Sequence, residues 1–295
     1  MGYDYPLAKT TKNLKLLFND PNHDILIMDW KLMMGYMKKM MPLQFPVTPG
    51  IDVTGVVKSV GSAITKFKPG DRVVSFVNTY KGTLQEETVT EEGLTAALPD
   101  TASFEDGATI PVAGLIAYQA LFDKLDLQSG ERLLIQGGAG AVGMFAIQFA
   151  KNAGANVTVN ASPSHNEFLK NLGVNEVIDY HDANAFKGVD KFNKILDLIG
   201  GKTLGSSYSL VNAGGAIVST SGVPDPDTCK NLSISGSFIQ TEVKPDQLGA
   251  IAEQIADNKV KVVISKQYAF NLDNVKKAFA ESESGHATGK IVVTF

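Results

Sequence analysis

Cysteine, histidine and long apolar runs are scarce in this chain of 295 residues. With one cysteine, Cys229, and four histidines, the sequence offers neither a disulfide framework nor the cysteine cluster of a structural zinc site. The net charge of −4 provides no basic excess of the kind that nucleic-acid binding requires. No stretch approaches the roughly 20 apolar residues of a membrane span. Residues 1–10 are polar and mixed rather than signal-like. From these features together we expect a cytoplasmic protein without a nucleic-acid partner or a membrane span.

The sequence changes character after its first third. Up to about residue 100 it contains short β-rich runs broken by glycine and proline, such as "DVTGVVKSVG" and "DRVVSFV". From about residue 108, predicted strands such as "RLLIQ" and "NVTVN" alternate with predicted helices, of which one spans residues 141–153. Repeated β–α units favour a parallel sheet with helices on both faces. The final segments, "VKVVISKQYAF" and "GKIVVTF", are strand-like again and can return to the first domain.

A glycine-rich turn joins the strand "RLLIQ" to the helix that follows it. Gly138, Gly140 and Gly143 form the pattern G-x-G-x-x-G. In such a motif the first glycine permits the tight turn, the second lets the backbone approach a pyrophosphate, and the third lets the helix pack closely on the strand. The first helical residues, Ala141 and Val142, supply free N–H groups for the phosphates. The alternative is that the glycines serve the turn alone, but the β–α units that follow favour a dinucleotide site.

The strand "NVTVN" and the residues after it indicate which dinucleotide binds. A cofactor with a free ribose 2′-hydroxyl usually meets an Asp or Glu about 20 residues after the glycines. Residues 156–166 contain no acid, and instead Ser162, Ser164 and His165 offer hydroxyl and imidazole groups that suit a 2′-phosphate. The chain has only two arginines, and neither lies in this region. We therefore predict NADPH rather than NADH, with a polar loop that binds no ligand as the alternative.

Several motifs, in order along the chain, resemble those of the medium-chain dehydrogenase/reductase superfamily. They are "FPVTPGIDVTGVVKSVGSAITKFKPGDRVV", "LPDTASFEDGATIPVAGLIAYQALF", the glycine turn and the ending "GHATGKIVV". The chain is most similar to the zinc-free quinone oxidoreductases, the zeta-crystallin-like branch and its plant relatives. The resemblance implies an α/β fold in which a Rossmann doubly wound parallel sheet is inserted into a GroES-like, mainly-β substrate domain, with a cleft between them. We predict the GroES-like domain over residues 1–112 and 259–295, and the Rossmann domain over residues 113–258.

The segment "GIDVTG" indicates whether the protein can bind the zinc ion found in part of the superfamily. Zinc-dependent members of the superfamily carry Gly-His-Glu here, so Ile51 occupies the position of a histidine ligand, and the four-cysteine lobe of those members is missing. For Asp52 a buried or capping carboxylate is favoured over a metal ligand. The resemblance therefore predicts a protein without zinc.

This lack of zinc limits the chemistry. Oxidation of an alcohol would lack the group that polarises it, whereas a quinone or an enone accepts a hydride without a metal. We predict NADPH-dependent reduction of a small-molecule quinone or α,β-unsaturated carbonyl, by a homodimer as is common among relatives. The alternative is a nucleotide-binding but catalytically weak protein of the zeta-crystallin type, structural or regulatory in role.

The resemblance also implies roles for individual residues. Tyr180 resembles a tyrosine that contacts the adenosine phosphate, and His165 stands in the place of a lysine with the same role. Ser221 and Gly222 lie on a loop expected to face the nicotinamide, which Phe238 is expected to line. The predicted cofactor-binding residues are Gly138, Gly140, Ala141, Val142, Gly143, Ser162, Ser164, His165, Tyr180, Ser221, Gly222 and Phe238. No catalytic residue is identified.

Other positions depart from the family pattern or have a packing role. Leu26 and Ile27 stand where relatives carry Asn-Pro, and Ile116 replaces a threonine that normally reaches the nicotinamide; these changes favour the catalytically weak alternative. Tyr118 and Val112 are interpreted as packing residues. The residues that resemble the C-terminal edge of the cleft are His286, Thr288 and Lys290.

A methionine-rich stretch follows the segment "DWKL". It contains Met33, Met34, Met37, Met40 and Met41. Flexible methionine side chains suit an adaptable acceptor pocket, but their spacing favours an ordinary hydrophobic core.

Overall fold

The computed structural model describes residues 15–39, 41–43, 45–77, 82–285 and 287–295. Packing divides the chain into two units. The first contains the residues up to Val112 together with Val243–Asp257 and Ile264–Phe295, and the second contains Ala113–Glu242 and Asn258–Val263. No helix in the described part of the chain is long and apolar enough to cross a membrane.

The strands and helices of the described residues are numbered in chain order. The strands are β1 (Lys15–Asp24), β2 (Asp52–Val60), β3 (Arg72–Phe76), β4 (Glu87–Glu91), β5 (Thr95–Ala97), β6 (Arg132–Gln136), β7 (Asn156–Ala161), β8 (Glu176–Asp179), β9 (Phe192–Asp197), β10 (Val211–Ser219), β11 (Ser235–Phe238), β12 (Ile264–Ala269) and β13 (Lys290–Thr294). The α-helices are α1 (Ile27–Met33), α2 (Phe104–Ala108), α3 (Leu115–Tyr118), α4 (Ala141–Asn152), α5 (Asn166–Asn171), α6 (Gly201–Ser207), α7 (Pro226–Asn231), α8 (Pro245–Ala256) and α9 (Leu272–Ser284).

The first unit is built on a mainly antiparallel sheet in the order β12-β13-β1-β2-β3-β5, with β4 also paired to β1. Valine is frequent in β2 and β3, as expected for strands whose branched side chains pack on a pleated surface. Val53, Val57 and Val73 are buried in one cluster, against which Ile64 and Phe67 pack. The C-terminal strand β13 joins the sheet by pairing antiparallel with β1 and parallel with β12.

Two helices cover parts of the first unit. In α9, the buried Ala278 packs in a cluster with Ile25 and Val293, and the helix ends at Gly285, whose φ of +70° favours glycine. Helix α8 packs against β5. For that reason residues 243–257 belong to the first unit, whereas the sequence analysis assigned them to the Rossmann domain.

The second unit is a parallel sheet in the order β11-β10-β9-β6-β7-β8. The chain enters at β6 in the middle, proceeds outwards through β7 and β8, and then returns to β9 on the other side of β6. This is the doubly wound arrangement, in which the strand order reverses between β6 and β9. The predicted α/β fold is therefore confirmed.

The core of the second unit explains why its strands read as nearly continuous apolar runs. Leu134 on β6, Ile195 on β9 and Ile217 on β10 are fully buried, as expected for a parallel sheet covered on both faces. On α4, Phe145 and Phe149 are also buried, and their rings stack 5.9 Å apart. These contacts fix the helix whose first turn follows the glycine-rich segment.

Several ionisable side chains are buried in the first unit. Lys290 forms an ion pair with Asp24, and both are buried beside His23 and Asp29. Burial raises the pKa of Asp29 to about 7 and lowers the pKa of His23 to about 3. It also raises the pKa of Asp52 well above its usual range. Burial thus disfavours the charged forms of these groups, as the low polarity of a protein interior requires.

The raised pKa of Asp29 generates a prediction about stability. Between about pH 4 and pH 7 the folded state holds a proton that the unfolded state releases, so the free energy of unfolding falls as the pH rises through this window. An asparagine cannot ionise but can still accept the hydrogen bond that the Leu26 N–H donates to Asp29 Oδ2 at 2.9 Å. We expect Asp29→Asn to gain stability relative to the parent on going from about pH 5 to about pH 8, by a few kcal/mol (roughly 1.4 kcal/mol per pKa unit).

Chemical denaturation at the two pH values measures this gain. Because Asp24 and Asp52 also titrate nearby, the quantity to compare is the difference between variant and parent at each pH. Asp71→Asn is a matched control, since hydrogen bonds from Lys68 lower the pKa of Asp71, and its difference from the parent should not change between these pH values. A stability difference for Asp29→Asn that is independent of pH would contradict the prediction.

Candidate functional site

All of the predicted cofactor-binding residues lie at one edge of the second unit's sheet. The glycine turn follows β6, and Ser162, Ser164 and His165 follow β7. Tyr180 follows β8, Ser221 and Gly222 follow β10, and Phe238 is the last residue of β11. Because the six strands are parallel, their carboxyl ends meet at the same edge, where doubly wound sheets bind ligands.

The turn after β6 is held by close contacts between backbone atoms and side chains. Gly137, rather than Gly138, has the left-handed φ of +83°, so the tight turn depends on Gly137 and the role expected for Gly138 is corrected. A Cβ on Gly138 would lie 2.5 Å from Cγ1 of Val159 on β7, and a Cβ on Gly143 would lie 2.4 Å from the Gly138 carbonyl oxygen. Gly138 and Gly143 therefore allow the turn, β7 and α4 to approach one another.

Gly140 differs from its neighbouring glycines because the fold does not require it. It is the N-cap of α4 with φ −83°, an ordinary value for any residue. A Cβ there would approach only the Gly137 carbonyl oxygen, at 3.9 Å, which is ordinary contact. Space is thus left open in front of the helix N-terminus.

Helix α4 has the features of a phosphate site at its first turn. Its hydrogen-bond ladder begins with the Met144 N–H donating to the Gly140 carbonyl at 2.9 Å. Helix geometry leaves the N–H groups of Ala141, Val142 and Gly143 without acceptors inside the helix, and the positive end of the helix dipole lies there. With open space at Gly140, these residues fit the pyrophosphate of a dinucleotide.

The polar residues after β7 form a connected group. Ser164 Oγ lies 3.1 Å from Ser162 Oγ and 3.3 Å from His165 Nδ1. Ser164 is exposed, while Ser162 and His165 are half-buried. The short 3₁₀ turn Pro163–His165 presents them at the end of the strand, as the sequence analysis expects.

Tyr180 lies next to this group at the sheet edge. Ala161 on β7 pairs with Asp179 on β8, so the residues after them, Ser162 and Tyr180, leave the sheet side by side. The exposed ring of Tyr180 lies against the ring of His181, with centroids 4.1 Å apart. This position makes the Tyr180 ring accessible from the sheet edge.

Asn160, the last but one residue of β7, is a candidate that the sequence analysis missed. Its Nδ2 donates to Gln136 Oε1 at 2.6 Å, and Gln136 in turn donates to Ser207 Oγ at 3.1 Å. Its Oδ1 is buried and has no hydrogen-bond partner. The signal was present, since an amide ends the strand where many dinucleotide-binding proteins carry an acid.

Asp197 at the end of β9 was also missed. This fully buried carboxylate accepts hydrogen bonds from the Gly200 N–H at 3.0 Å and from Ser219 Oγ at 2.6 Å. It therefore holds the loop after β9 next to the end of β10. Ser221 contacts that loop, with its Oγ donating to the Leu198 carbonyl at 3.1 Å.

Apolar side chains are exposed around the same loops. Ile199 and Val223, on the loops after β9 and β10, are largely exposed, and Phe238 ends β11 next to Ser219. Gly222 packs close to Leu204, since a Cβ on Gly222 would lie 3.3 Å from Cδ2 of Leu204. The edge thus combines free N–H groups after β6 with an apolar surface after β9, β10 and β11.

The residues that depart from the family pattern present no polar side chain. Leu26 is the buried N-cap of α1, Ile27 is exposed, and Ile116 is half-buried on α3. Tyr118 packs edge-on against Phe122 and Phe149, as the sequence analysis expects.

Residues assigned to the C-terminal edge of the cleft have mixed outcomes. Lys290 is buried in its ion pair with Asp24. Thr288 is half-buried, and His286 lies outside the described residues.

The methionines fit neither of their two interpretations fully. Met33 lines a small pocket with Asp29 and Leu32, while Met34 is exposed. Met37 and Met41 are half-buried, and Met40 lies outside the described residues.

The position of the family's zinc ligand is apolar here. Ile51 is buried, and Asp52 Oδ2 accepts the Val112 N–H at 3.0 Å. The interpretation of Asp52 as a buried capping carboxylate is therefore confirmed. In the part of the chain that the structure describes, no three His, Cys, Asp or Glu side chains are grouped so that they could hold a metal ion.

Comparisons with known proteins agree with this geometry. The family model for the alcohol dehydrogenase GroES-like domain matches residues 24–117, and that for zinc-binding dehydrogenase matches residues 172–293. A quinone-oxidoreductase homolog of the chloroplast from Spinacia oleracea is 32% identical, and the alignment covers 96% of this chain and 93% of that protein. The NADPH-dependent alkenal/one oxidoreductase of the chloroplast from Arabidopsis thaliana is 32% identical over 84% of this chain and 64% of that protein.

A solved structure shows the same fold. The quinone oxidoreductase from Coxiella burnetii superposes with a TM-score of 0.85 at 24% identity, covering 98% of this chain and 93% of that one. Both predicted parts of the fold, the GroES-like domain and the Rossmann sheet, thus have counterparts among known proteins. The chain belongs to the medium-chain dehydrogenase/reductase superfamily, in which its relatives include oxidoreductases of the quinone oxidoreductase type.

Proposed function

We propose that this protein is an NADPH-dependent reductase of quinones or α,β-unsaturated carbonyl compounds that works without a metal. The observation that carries the proposal is the open N-terminus of α4 at Gly140, where free N–H groups point out of a turn that the other glycines hold in place. When bound, NADPH would supply a hydride from its nicotinamide ring to the acceptor.

The chain's own residues would bind and orient the cofactor. The N–H groups of Ala141 to Gly143 would hold the pyrophosphate, and Ser162 and His165 would donate to a 2′-phosphate. Asn160 Oδ1, which is buried and unpartnered, would accept a hydrogen bond from a ribose hydroxyl. At the other end of the sheet edge, Phe238 and the loop at Ser221 would form an apolar surface for the nicotinamide and exclude water from it.

The acceptor class follows from the chemistry that the chain lacks. In the zinc-dependent members of the family the metal polarises the alcohol or ketone, and here the zinc-ligand position holds the buried Ile51. Quinones and enones carry their own electron-poor centre. The names of two relatives, a quinone-oxidoreductase homolog and an NADPH-dependent alkenal/one oxidoreductase, support the same class.

A panel of acceptors tests the proposed function. NADPH oxidation would be followed anaerobically with quinones, enones, saturated ketones and, in reverse, alcohols with NADP⁺. We expect turnover with at least one quinone or enone and none with the saturated ketone or the alcohol. Turnover of alcohols alone would contradict the proposal.

A second candidate function is a nucleotide-binding protein that is catalytically weak, with a structural or regulatory role. The positions that favour it are Leu26 and Ile27, which stand where the family carries Asn-Pro, and Ile116, which replaces a threonine. Tight NADPH binding without turnover of any acceptor in the panel would favour this function. The homodimer and the cytoplasmic location expected from the sequence remain predictions.

The choice between NADPH and NADH generates a second testable prediction. Hydrogen-bond donors rather than an acidic side chain follow β7. NADPH should therefore bind at least about tenfold more tightly than NADH, a difference of roughly 1.4 kcal/mol. Asn160→Asp introduces a negative charge at the end of the strand and should reverse the preference, since a carboxylate repels a 2′-phosphate and accepts from a 2′-hydroxyl. Titration calorimetry with both cofactors measures the ratio.

Asn156→Asp is the matched control for this test. It makes the same change at the opposite end of β7, where Asn156 is exposed, and should leave the ratio of the two dissociation constants unchanged. Equal affinities of the parent for NADPH and NADH would contradict the predicted preference.

A third prediction concerns Gly140. A Cβ there makes only ordinary contact, so Gly140→Val should change the free energy of unfolding by only about 1 kcal/mol or less. Its side chain would occupy the space in front of the α4 N-terminus, and the NADPH affinity should fall at least about a hundredfold, roughly 2.7 kcal/mol. Titration calorimetry and chemical denaturation measure the two effects.

Gly205→Val serves as the control for Gly140→Val. Gly205 lies on α6 in the same unit, and a Cβ there also meets no atom within 4 Å. This variant should bind NADPH as the parent does. If Gly140→Val folds and binds NADPH equally well, the glycine turn has no role in binding the cofactor.

A fourth prediction concerns metal content. The buried Ile51 leaves the catalytic zinc position without its histidine ligand. Elemental analysis of the purified, full-length protein should therefore find far less than one zinc per chain. Stoichiometric zinc that survives dialysis against a chelator would refute the metal-free proposal.

A further inference from the structure

A surface of the first unit combines large exposed apolar side chains with lysines. We call it the 27–45 surface, formed by α1 and the turns that follow it. Met34, Tyr36 and Phe45 are 66%, 72% and 68% exposed, and Ile27 is 55% exposed. Apolar side chains of this size are costly to leave in water. Several such side chains exposed close together in the chain make this surface a candidate for an interaction.

The members of the 27–45 surface are neighbours in the fold. The N–H of Tyr36 donates to the Lys31 carbonyl at 3.0 Å, and the rings of Trp30 and Tyr36 meet edge-on at 5.7 Å. The loop that carries Phe45 lies against α1, because Leu43 and Val47 line one pocket together with Leu32 and Met33 of the helix. Ile27, Trp30 and Met34 are spaced three or four residues apart and therefore share one face of α1, where Tyr36 meets Trp30.

The charges on this surface are of one sign. Lys31, Lys38 and Lys39 are exposed. Asp29 is the only acid between residues 25 and 49, and it is buried. The net charge of the whole chain is −4, so a positive surface here is a local departure from the overall balance. Helix α9, which contacts α1, carries acids and lysines together and does not extend the positive surface.

We propose that the 27–45 surface docks the protein onto an anionic lipid bilayer. Exposed Met, Tyr and Phe side chains can enter the boundary between headgroups and acyl chains, with Tyr at headgroup level. The lysines bind the negative surface potential of acidic lipids. The Lys31 Nζ lies over the Trp30 ring, 5.6 Å from its centroid. The apolar stem of this lysine can therefore lie along the apolar surface while its charged end reaches the lipid headgroups.

A second copy of the chain fits this surface less well. In a symmetric dimer through this face, the same patch would meet itself, so the lysines of one copy would face the positive surface of the other. Like charges across an interface are unfavourable. An anionic membrane can accommodate the apolar side chains in its interior and pair its negative headgroups with the lysines. The inference does not depend on the proposed reductase activity, because lipid binding is measured without any acceptor.

Vesicle flotation with the full-length protein tests the inference. The vesicles would be phosphatidylcholine alone or phosphatidylcholine with about 30% phosphatidylserine. We expect binding to the anionic vesicles that is much weaker on the neutral ones and that falls as salt is raised. Lys38→Gln with Lys39→Gln should weaken binding at least about tenfold. Tyr36→Ser with Phe45→Ser should also weaken it, because it removes apolar insertion.

Matched controls separate this surface from general effects. Lys187→Gln with Lys191→Gln removes two exposed lysines of the second unit, and Leu232→Ser removes an exposed apolar side chain there; both variants should bind vesicles as the parent does. Unchanged circular dichroism and NADPH affinity of the Tyr36/Phe45 variant would show that it still folds. Failure of the parent to bind anionic vesicles, or equal loss in the controls, would overturn the inference. So would self-association of the parent that the Tyr36/Phe45 variant abolishes.

Discussion

The close approach between the turn after β6, the strand β7 and the helix α4 is the constraint on which the second unit depends. Gly137 turns the chain in a left-handed conformation, Gly138 leaves room for Val159, and Gly143 leaves room for the backbone of Gly138. These three glycines are explained by the fold itself. Gly140 is not, because a side chain there would meet only ordinary contact. We propose that its smallness serves a ligand that approaches the N-terminus of α4.

The strand order turns this local constraint into a site. Because the chain reverses direction across the sheet between β6 and β9, the loops that follow these neighbouring strands leave on opposite sides, and a crevice opens between them. Asp197 holds the loop after β9 to β10 through Gly200 and Ser219. Polar groups then lie after β6, β7 and β8, and apolar groups after β9, β10 and β11. This arrangement matches a dinucleotide cofactor, which has charged phosphates toward one end and an aromatic nicotinamide ring at the other.

Much of this arrangement could be predicted from the sequence. Apolar runs separated by helical patterns predict a parallel sheet, and the spacing of Gly138, Gly140 and Gly143 predicts a phosphate-binding turn. What could not be predicted depends on neighbours that are distant in sequence. The left-handed residue proved to be Gly137, because spacing does not reveal φ. Asp197 was missed because its role comes from partners on adjacent strands, whereas the position of Asn160 near the end of β7 was a signal that the sequence did contain.

In the first unit, too, sequence patterns predict elements but do not reveal which distant segments they pack against. The pattern "GHATGKIVV" identifies the family, but it does not show that Lys290 is buried against Asp24. Similarly, the apolar, regularly spaced residues of α8 predict a helix without indicating which sheet it covers. In both cases the local sequence determines the element, while its partner is decided by packing between segments far apart in the chain.

Amide hydrogen exchange with and without NADPH tests the central claim most directly, because it reports on the backbone N–H groups themselves. Saturating NADPH should slow exchange in peptides that contain residues 138–143 and 160–165, since the phosphates would occupy these donors and close the helix N-terminus to water. Peptides from β2 and β3 in the first unit serve as an internal reference. If NADPH binds but protection is absent at the start of α4, the cofactor is not held by the glycine turn, and the account of this site is wrong.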